Sequence, residues 1–311
     1  MSPKTLVGLI LCNLIWSVHP ALGKVLLEDF TPIQMGWLRY MSALLAYVVI
    51  VIALRLTRKT PVKEFFLLPK NKHDALFVLL IGFMAFCFSP LTQINGLAVS
   101  RATDNALIVA MEPLFVVILA WLVLKERIAK AHLLAFVGAF SGFILLSGIS
   151  TQQFDAGFDV HLIGNFSILI SLFGEATYSV AGRKLTLRNP PLGVFGSTLL
   201  VGVIFLTLAM PFAGGLGTPH FTPRSLLGLL WIGPLGTSLS YLYWMVALAE
   251  APVAALALTL FIQPVFGSIW GVLFLGDTLT SIQGVGGALI VGSVVGYSFW
   301  SARGSARKRL I

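Results

Sequence analysis

The stretch Leu97–Arg127, LAVSRATDNALIVAMEPLFVVILAWLVLKER, decides the fold. A polar lead-in (Ser100, Arg101, Thr103, Asp104, Asn105) is followed by about twenty apolar residues and a charged stop at Lys125, Glu126 and Arg127, which is the length of a membrane-spanning helix. Glu112 and Pro113 stand near its middle. At that depth an ionised carboxylate costs about 2.5–3.5 kcal/mol on insertion scales, and a proline removes a backbone hydrogen bond. A helix facing only lipid would not carry that pair.

The same stretch recurs 151 positions later. Leu97, Ala98, Ala106, Leu107, Pro113, Phe115, Ile118 and Leu124 fall on Leu248, Ala249, Ala257, Leu258, Pro264, Phe266, Ile269 and Leu275, with Glu112 facing Gln263 and Glu126 facing Asp277. The chain therefore reads as two halves, residues 1–150 and 151–311. Faint internal similarity of this kind marks transporters built from repeats, whose substrate sites lie where the repeats meet.

Composition agrees. Of the 311 residues 57% are hydrophobic and 11% charged, too apolar for a water-soluble domain of this size. Apolar runs bounded by charges, Pro or Gly predict ten transmembrane helices, at 4–26, 33–54, 75–98, 103–124, 131–149, 161–182, 191–212, 225–249, 253–275 and 281–300. The first run resembles a signal peptide but continues past Pro20 to Leu27 and has a counterpart in the second half, so it is read as a retained helix.

Lys and Arg set the orientation. With a cytoplasmic amino terminus, seventeen of the 21 Lys and Arg fall on inner segments, leaving Lys24, Arg39, Arg101 and Arg224 for the outer side or the membrane. Both termini are therefore placed inside. An odd five helices per half inverts the second half relative to the first. The expected fold is an all-α polytopic membrane protein with two inverted five-helix repeats.

The formal charge of +9 does not imply nucleic acid, because the basic residues lie in short membrane-flanking loops rather than on one soluble face. The basic loop 56–73 is read as a contact for lipid headgroups. Cys12 and Cys87 lie inside apolar runs and are read as small core residues. Gly138, Gly142, Gly292 and Gly296 are spaced for close helix packing, within the monomer or, as the alternative, across a homodimer contact. Neither HExxH, GxSxG nor GxxxxGK[ST] occurs, and the five His are not at ligand spacing, so no enzyme, metal or cofactor is expected.

With ALIVAMEPLFVVILAWLVLKER at Ala106–Arg127, its twin ALTLFIQPVFGSIWGVLFLGD at Ala257–Asp277 and the first-helix segment NLIWSVHPALGK at Asn13–Lys24, the chain resembles the drug/metabolite transporter superfamily, specifically its bacterial EamA-type members. The resemblance spans nearly the whole chain. It implies a ten-helix carrier of the bacterial inner membrane with a central cavity, moving small organic metabolites by alternating access, often outward and often amino acids. The second half departs by carrying Gln263 where the first has Glu112, so an ionic role belongs to one half only.

Polar groups inside apolar helices normally face a bundle interior or a water-filled cavity. Those expected to bind substrate or couple transport are Trp16, His19, Arg39, Gln93, Glu112, Glu175, Tyr178, Tyr241 and Gln263, with Pro113 and Pro264 as hinges. Arg39 is assigned the substrate carboxylate or another anion, or else neutralisation of Glu112; Glu112 is a proton acceptor or the partner of an ammonium. Glu175 is a cavity acid, or a carboxyl bonded to neighbouring hydroxyls and held neutral, the nearest in sequence being Tyr178 and Ser179. The aromatics supply a stacking or cation-binding wall, to which Trp244 and Tyr243 are further candidates, whereas Trp231 and Trp300 are read as interfacial anchors. The expected activity is export of an amino acid or related metabolite, with protons as the candidate coupling ion. Uptake of a metabolite or organic cation, and a passive channel, are the alternatives. The channel is disfavoured because no helix carries a continuous polar stripe.

Overall fold

The computed structural model describes residues 3–58, 64–67, 69, 71–124, 130–146, 160–251, 253, 256 and 258–308, and all regular structure among them is helical. In chain order the helices are α1 (Pro3–Leu26), α2 (Pro32–Arg58), α3 (Lys72–Val99), α4 (the two pieces Ala102–Val109 and Glu112–Leu124), α5 (Lys130–Leu146), α6 (Val160–Thr186), α7 (Pro191–Ala209), α8 (Pro223–Glu250), α9 (Ile262–Leu275) and α10 (Ser281–Lys308). Among the described residues six helices (α1, α2, α3, α6, α7 and α8) are long and apolar enough to cross a membrane, and the two pieces of α4, bent by 40°, make a seventh. Shorter apolar helices lie in α5, α9 and α10. Glu126, the loop 150–159 and the side chain of Trp300 lie outside the described residues.

The long helices are interrupted where proline requires it, since proline cannot donate to the preceding turn. α1 breaks at Val18 and restarts at His19–Pro20. α3 widens into a π-helical segment, Met84–Phe88, just ahead of Pro90, and α8 does so at Trp231–Leu239 around Pro234. The expected continuous fourth helix is broken at Ala110–Met111, and its second piece starts with Glu112 and Pro113. A proline in the first helical turn loses no bond, because the N–H it lacks would have had no partner there. In the second half a 3-10 turn, Leu258–Phe261, precedes α9, whose first turn holds Gln263 and Pro264. The 151-residue offset carries residues 84–88 onto 235–239, inside the α8 π segment.

Packing places α5 against α10, α4 against α9, α2 against α8, and α3 against both α6 and α7. The α5–α10 contact needs glycine: a Cβ on Gly142 would sit 2.6 Å from the Gly286 carbonyl oxygen, and one on Gly286 the same distance from that of Gly142. Gly138 likewise meets Ser293 of α10. Gly292 and Gly296 correct the expectation of packing within the monomer, because among the described residues no atom lies within 4 Å of a Cβ built on either. Large apolar side chains such as Leu45 and Val49 on α2, Leu134 on α5 and Phe274 on α9 are exposed on the bundle surface, as a lipid-facing belt requires. Cys12 and Cys87 are buried and unbonded to each other.

Polar contacts knit both ends of the bundle. At the end holding Pro3 and Glu250, Thr5 Oγ1 donates to Glu250 Oε2 (2.9 Å), Tyr243 OH to the Lys4 carbonyl (3.1 Å) and Arg183 to the Leu248 carbonyl. At the end holding Leu26 and Val99, Lys24 Nζ donates to the Ala98 carbonyl (3.2 Å), Arg101 pairs with Asp104 (3.0 Å), and Asp104 meets His161 (2.8 Å).

Candidate functional site

The breaks in α1 and α4 and the start of α9 meet at one cavity of about 80 Å³, room for several waters. All nine side chains singled out from the sequence line it: Trp16, His19, Arg39, Gln93, Glu112, Glu175, Tyr178, Tyr241 and Gln263. Pro113 and Pro264 do not; they stand one residue beyond Glu112 and Gln263 in their helices. Trp244 lines the cavity as well, whereas Tyr243 turns away to the Lys4 carbonyl. Trp231, read as an interfacial anchor, donates its indole N–H to the Ile15 carbonyl of α1 at 3.3 Å.

Arg39 comes from α2 and is 6% exposed. Its Nε donates to Thr237 Oγ1 of α8 at 2.9 Å, and its guanidinium carbon lies 5.0 Å from the centroid of the Tyr40 ring. It forms no ion pair among the described residues. Mutual neutralisation with Glu112 is therefore not what the structure contains. Glu112, 7% exposed, heads the second piece of α4, where the helix dipole favours a carboxylate. Its side chain makes no hydrogen bond among the described residues, in contrast to that of its counterpart. Gln263 Nε2 donates to Asn13 Oδ1 (2.9 Å), and Asn13 Nδ2 donates to Thr259 Oγ1 (3.0 Å), which ties α9 to α1.

Glu175 on α6 is held by hydroxyls, but not by those nearest in sequence. Ser89 Oγ of α3 donates to its Oε1 (2.9 Å) and Tyr241 OH of α8 to its Oε2 (3.0 Å). Tyr178 instead donates to the Tyr241 carbonyl (2.7 Å), and Ser179 accepts from the Trp244 indole (3.3 Å). Trp16 donates its indole N–H to the Gly236 carbonyl (2.6 Å), and its ring meets Tyr241 edge-on at 5.1 Å and Trp244 at 5.6 Å. His19 Nε2 is buried with no partner among the described residues.

Sequence reading missed Ser89 and Thr237, which orient the acid and the base. Neither is conspicuous among the many Ser and Thr of the helices. The usable signal was Pro90 and Pro234, which lie at the two π segments that carry or adjoin these hydroxyls. Chemically the cavity offers a guanidinium, two carboxyl groups, an imidazole and an aromatic wall. That set suits a small polar organic molecule with an apolar part.

The comparisons with known proteins point the same way. The model of the EamA-like transporter family matches residues 3–148 and again residues 162–299. An uncharacterized transporter of Methanothermobacter thermautotrophicus is 21% identical over 309 residues, covering 96% of this chain and 86% of the relative. The Bacillus subtilis transporter YwfM is 25% identical over 210 residues, 66% of this chain and 67% of the relative. A chloroplastic WAT1-related protein of Arabidopsis thaliana is 25% identical over 212 residues, 66% of this chain and 50% of that protein. A solved crystal structure superposes with a TM-score of 0.68 at 18% identity, covering 97% of this chain and 99% of that one, and so shares the fold. Two family matches that together span nearly the whole chain, on a helical bundle with a polar central cavity, establish that this multi-pass membrane protein belongs to the EamA-like transporter family.

Proposed function

We propose that this small-molecule transporter is a secondary carrier of zwitterionic organic metabolites, with amino acids as the first class to test. The observation that carries the reading is the pairing left unmade: Arg39 and Glu112 face the same cavity, both buried, and neither forms a salt bridge among the described residues, the carboxyl nearest in charge to Arg39 being Glu175, which Ser89 and Tyr241 already hold. A buried charge is costly unless compensated. A zwitterion compensates both, its carboxylate on the Arg39 fork and its ammonium on Glu112, with Glu175 completing the acidic side and the Trp16, Tyr241 and Trp244 rings holding the apolar part.

The two separate family matches and the matching helix interruptions support halves 1–150 and 151–311. In this reading they are inverted five-helix repeats with both termini cytoplasmic, and they rock about the cavity to give alternating access. Pro113 and Pro264 act as hinges beside the two broken helices. The membrane is the bacterial inner membrane, the direction is outward, and Glu112 takes up a proton when the ammonium leaves.

Flux in proteoliposomes tests this directly, using labelled amino acids, choline and sugar phosphates with and without an imposed pH gradient. Amino-acid movement that follows the gradient and is lost in Glu112→Gln supports the coupled carrier. Gradient-independent counterflow would remove the coupling, and movement of choline alone would remove the carboxylate role of Arg39.

A further inference from the structure

We propose that the π-helical segment Trp231–Leu239 of α8 builds the anion-binding end of the cavity, with Thr237 as the positioning residue for Arg39; this rests on the reading of Arg39 as the carboxylate site. In an ordinary α-helix a threonine hydroxyl bonds back to the carbonyl three or four residues earlier. Thr237 Oγ1 instead donates to the Ile232 carbonyl five residues back, at 2.8 Å, a carbonyl that the wider turn brings within reach. A hydroxyl has one proton to give. With that proton committed to Ile232, the oxygen presents its lone pairs to Arg39 Nε at 2.9 Å.

The consequence concerns the guanidinium. Arg39 directs its Nε–H at Thr237, and the end of the fork, which the Tyr241 hydroxyl and the Glu175 carboxyl also approach, is the part that faces a ligand. That end is the geometry which takes a carboxylate through two parallel bonds. Without Thr237 the plane of the fork is free to turn, and a charge remains where a shaped receptor had been.

Residue 236 serves the same end. A Cβ on Gly236 would collide with His19 Nε2, and the Gly236 carbonyl accepts the Trp16 indole at 2.6 Å. The segment thus makes room for His19, whose Nε2 is buried and unpartnered among the described residues, on the cavity that Arg39 also lines. Three groups that line the cavity, Arg39, His19 and Trp16, meet one π segment at Thr237 and Gly236.

The test is counterflow by the purified full-length chain in proteoliposomes. Labelled leucine, phenylalanine, threonine and lysine are each competed with the unlabelled amino acid and with its carboxamide. Wild type prefers the carboxylate. Thr237→Val, close in shape but without the acceptor, should raise KM about tenfold, leave kcat near wild type and shrink the preference for carboxylate over carboxamide, and Thr237→Ser should restore both. The same substitution in an Arg39→Lys background, which has no Nε–H to orient, should add nothing further. If Thr237→Val folds poorly, Thr237→Ala carries the same measurement. Unchanged carboxylate preference in the variants, or an equal effect in the Lys background, overturns the positioning role while leaving the carrier intact. A wild type that moves none of the four, or that moves them without discriminating against the carboxamides, overturns the carboxylate reading of Arg39 and this inference with it.

Discussion

Glu175 and Glu112 are both cavity carboxyls, yet the protein treats them differently. Glu175 receives two hydroxyl donors from separate helices, so its orientation is set before any ligand arrives. Hydrogen bonds to a charged group contribute about 1.5–3 kcal/mol. Ser89→Ala and Tyr241→Phe are each expected to raise KM in counterflow by about tenfold or more on that figure, and the double variant by less than the product, since both act on one carboxylate. Gly236 gives a different kind of prediction. Gly236→Ala drives a methyl into His19 and should lower the thermal midpoint of the detergent-solubilised protein, in line with overpacking costs of about 1–3 kcal/mol. Adding His19→Ala removes the obstacle and should recover most of that loss; if the midpoint stays low, the clash is not the cause.

Helix ends carry the next layer. Asp277, just past α9, accepts both the backbone N–H and the hydroxyl of Thr103 at 2.8 Å in the first turn of α4. It thereby caps the start of the broken α4 from just beyond α9. Losing a cap costs about 1 kcal/mol, so Asp277→Ala should lower the unfolding midpoint and Asp277→Asn should lower it less. Outside the spans, Asp29 receives the Thr222 hydroxyl at 2.7 Å, and Thr222 is the cap of α8. That bond, aided by Ser225 and His220, holds the Asp29 carboxyl below the ordinary carboxylate range. Because the folded value is the lower one, the contribution is complete above the unfolded value of about 3.9 and is lost as pH falls through the folded value. Unfolding of Asp29→Asn should therefore differ from wild type at neutral pH and converge with it in strong acid. A constant difference across the range would exclude the linkage.

The proposed alternating access asks the bundle ends to part in turn. The Thr5–Glu250 bond joins the start of α1 to the end of α8, which makes it a natural place to hold one end shut. In a background with Cys12 and Cys87 replaced by Ser, Thr5→Cys with Glu250→Cys, bridged by a bifunctional thiol reagent, should abolish flux. Single-cysteine variants treated alike should keep it. Flux that survived bridging would show that this end need not open. Topology has its own check: a carboxy-terminal reporter active only outside the cytoplasm would remove the proposed arrangement of ten spans with both termini cytoplasmic, because an even number of spans returns the chain to its starting side.

Several features were legible in the residues alone, for physical reasons that are local. An apolar run of about twenty residues has few places to go except a membrane, and a charged or amide side chain inside one must find a polar interior. That logic picked out Arg39, Glu112, Glu175 and Gln263, and the fold gathers all four at one cavity. Internal similarity at 151 residues marked Glu112 against Gln263 in advance. What the residues could not disclose is who holds whom. Glu175 was matched to hydroxyls on its own helix, whereas its donors come from α3 and α8; Arg39 was offered Glu112 and instead took Thr237. Helical periodicity reports neighbours three and four residues apart, but partners more than sixty positions away meet only when whole helices cross. The π segments belong to the same class. A proline signals that a helix must yield, while the choice among kink, break and widened turn falls to the helices packed against it.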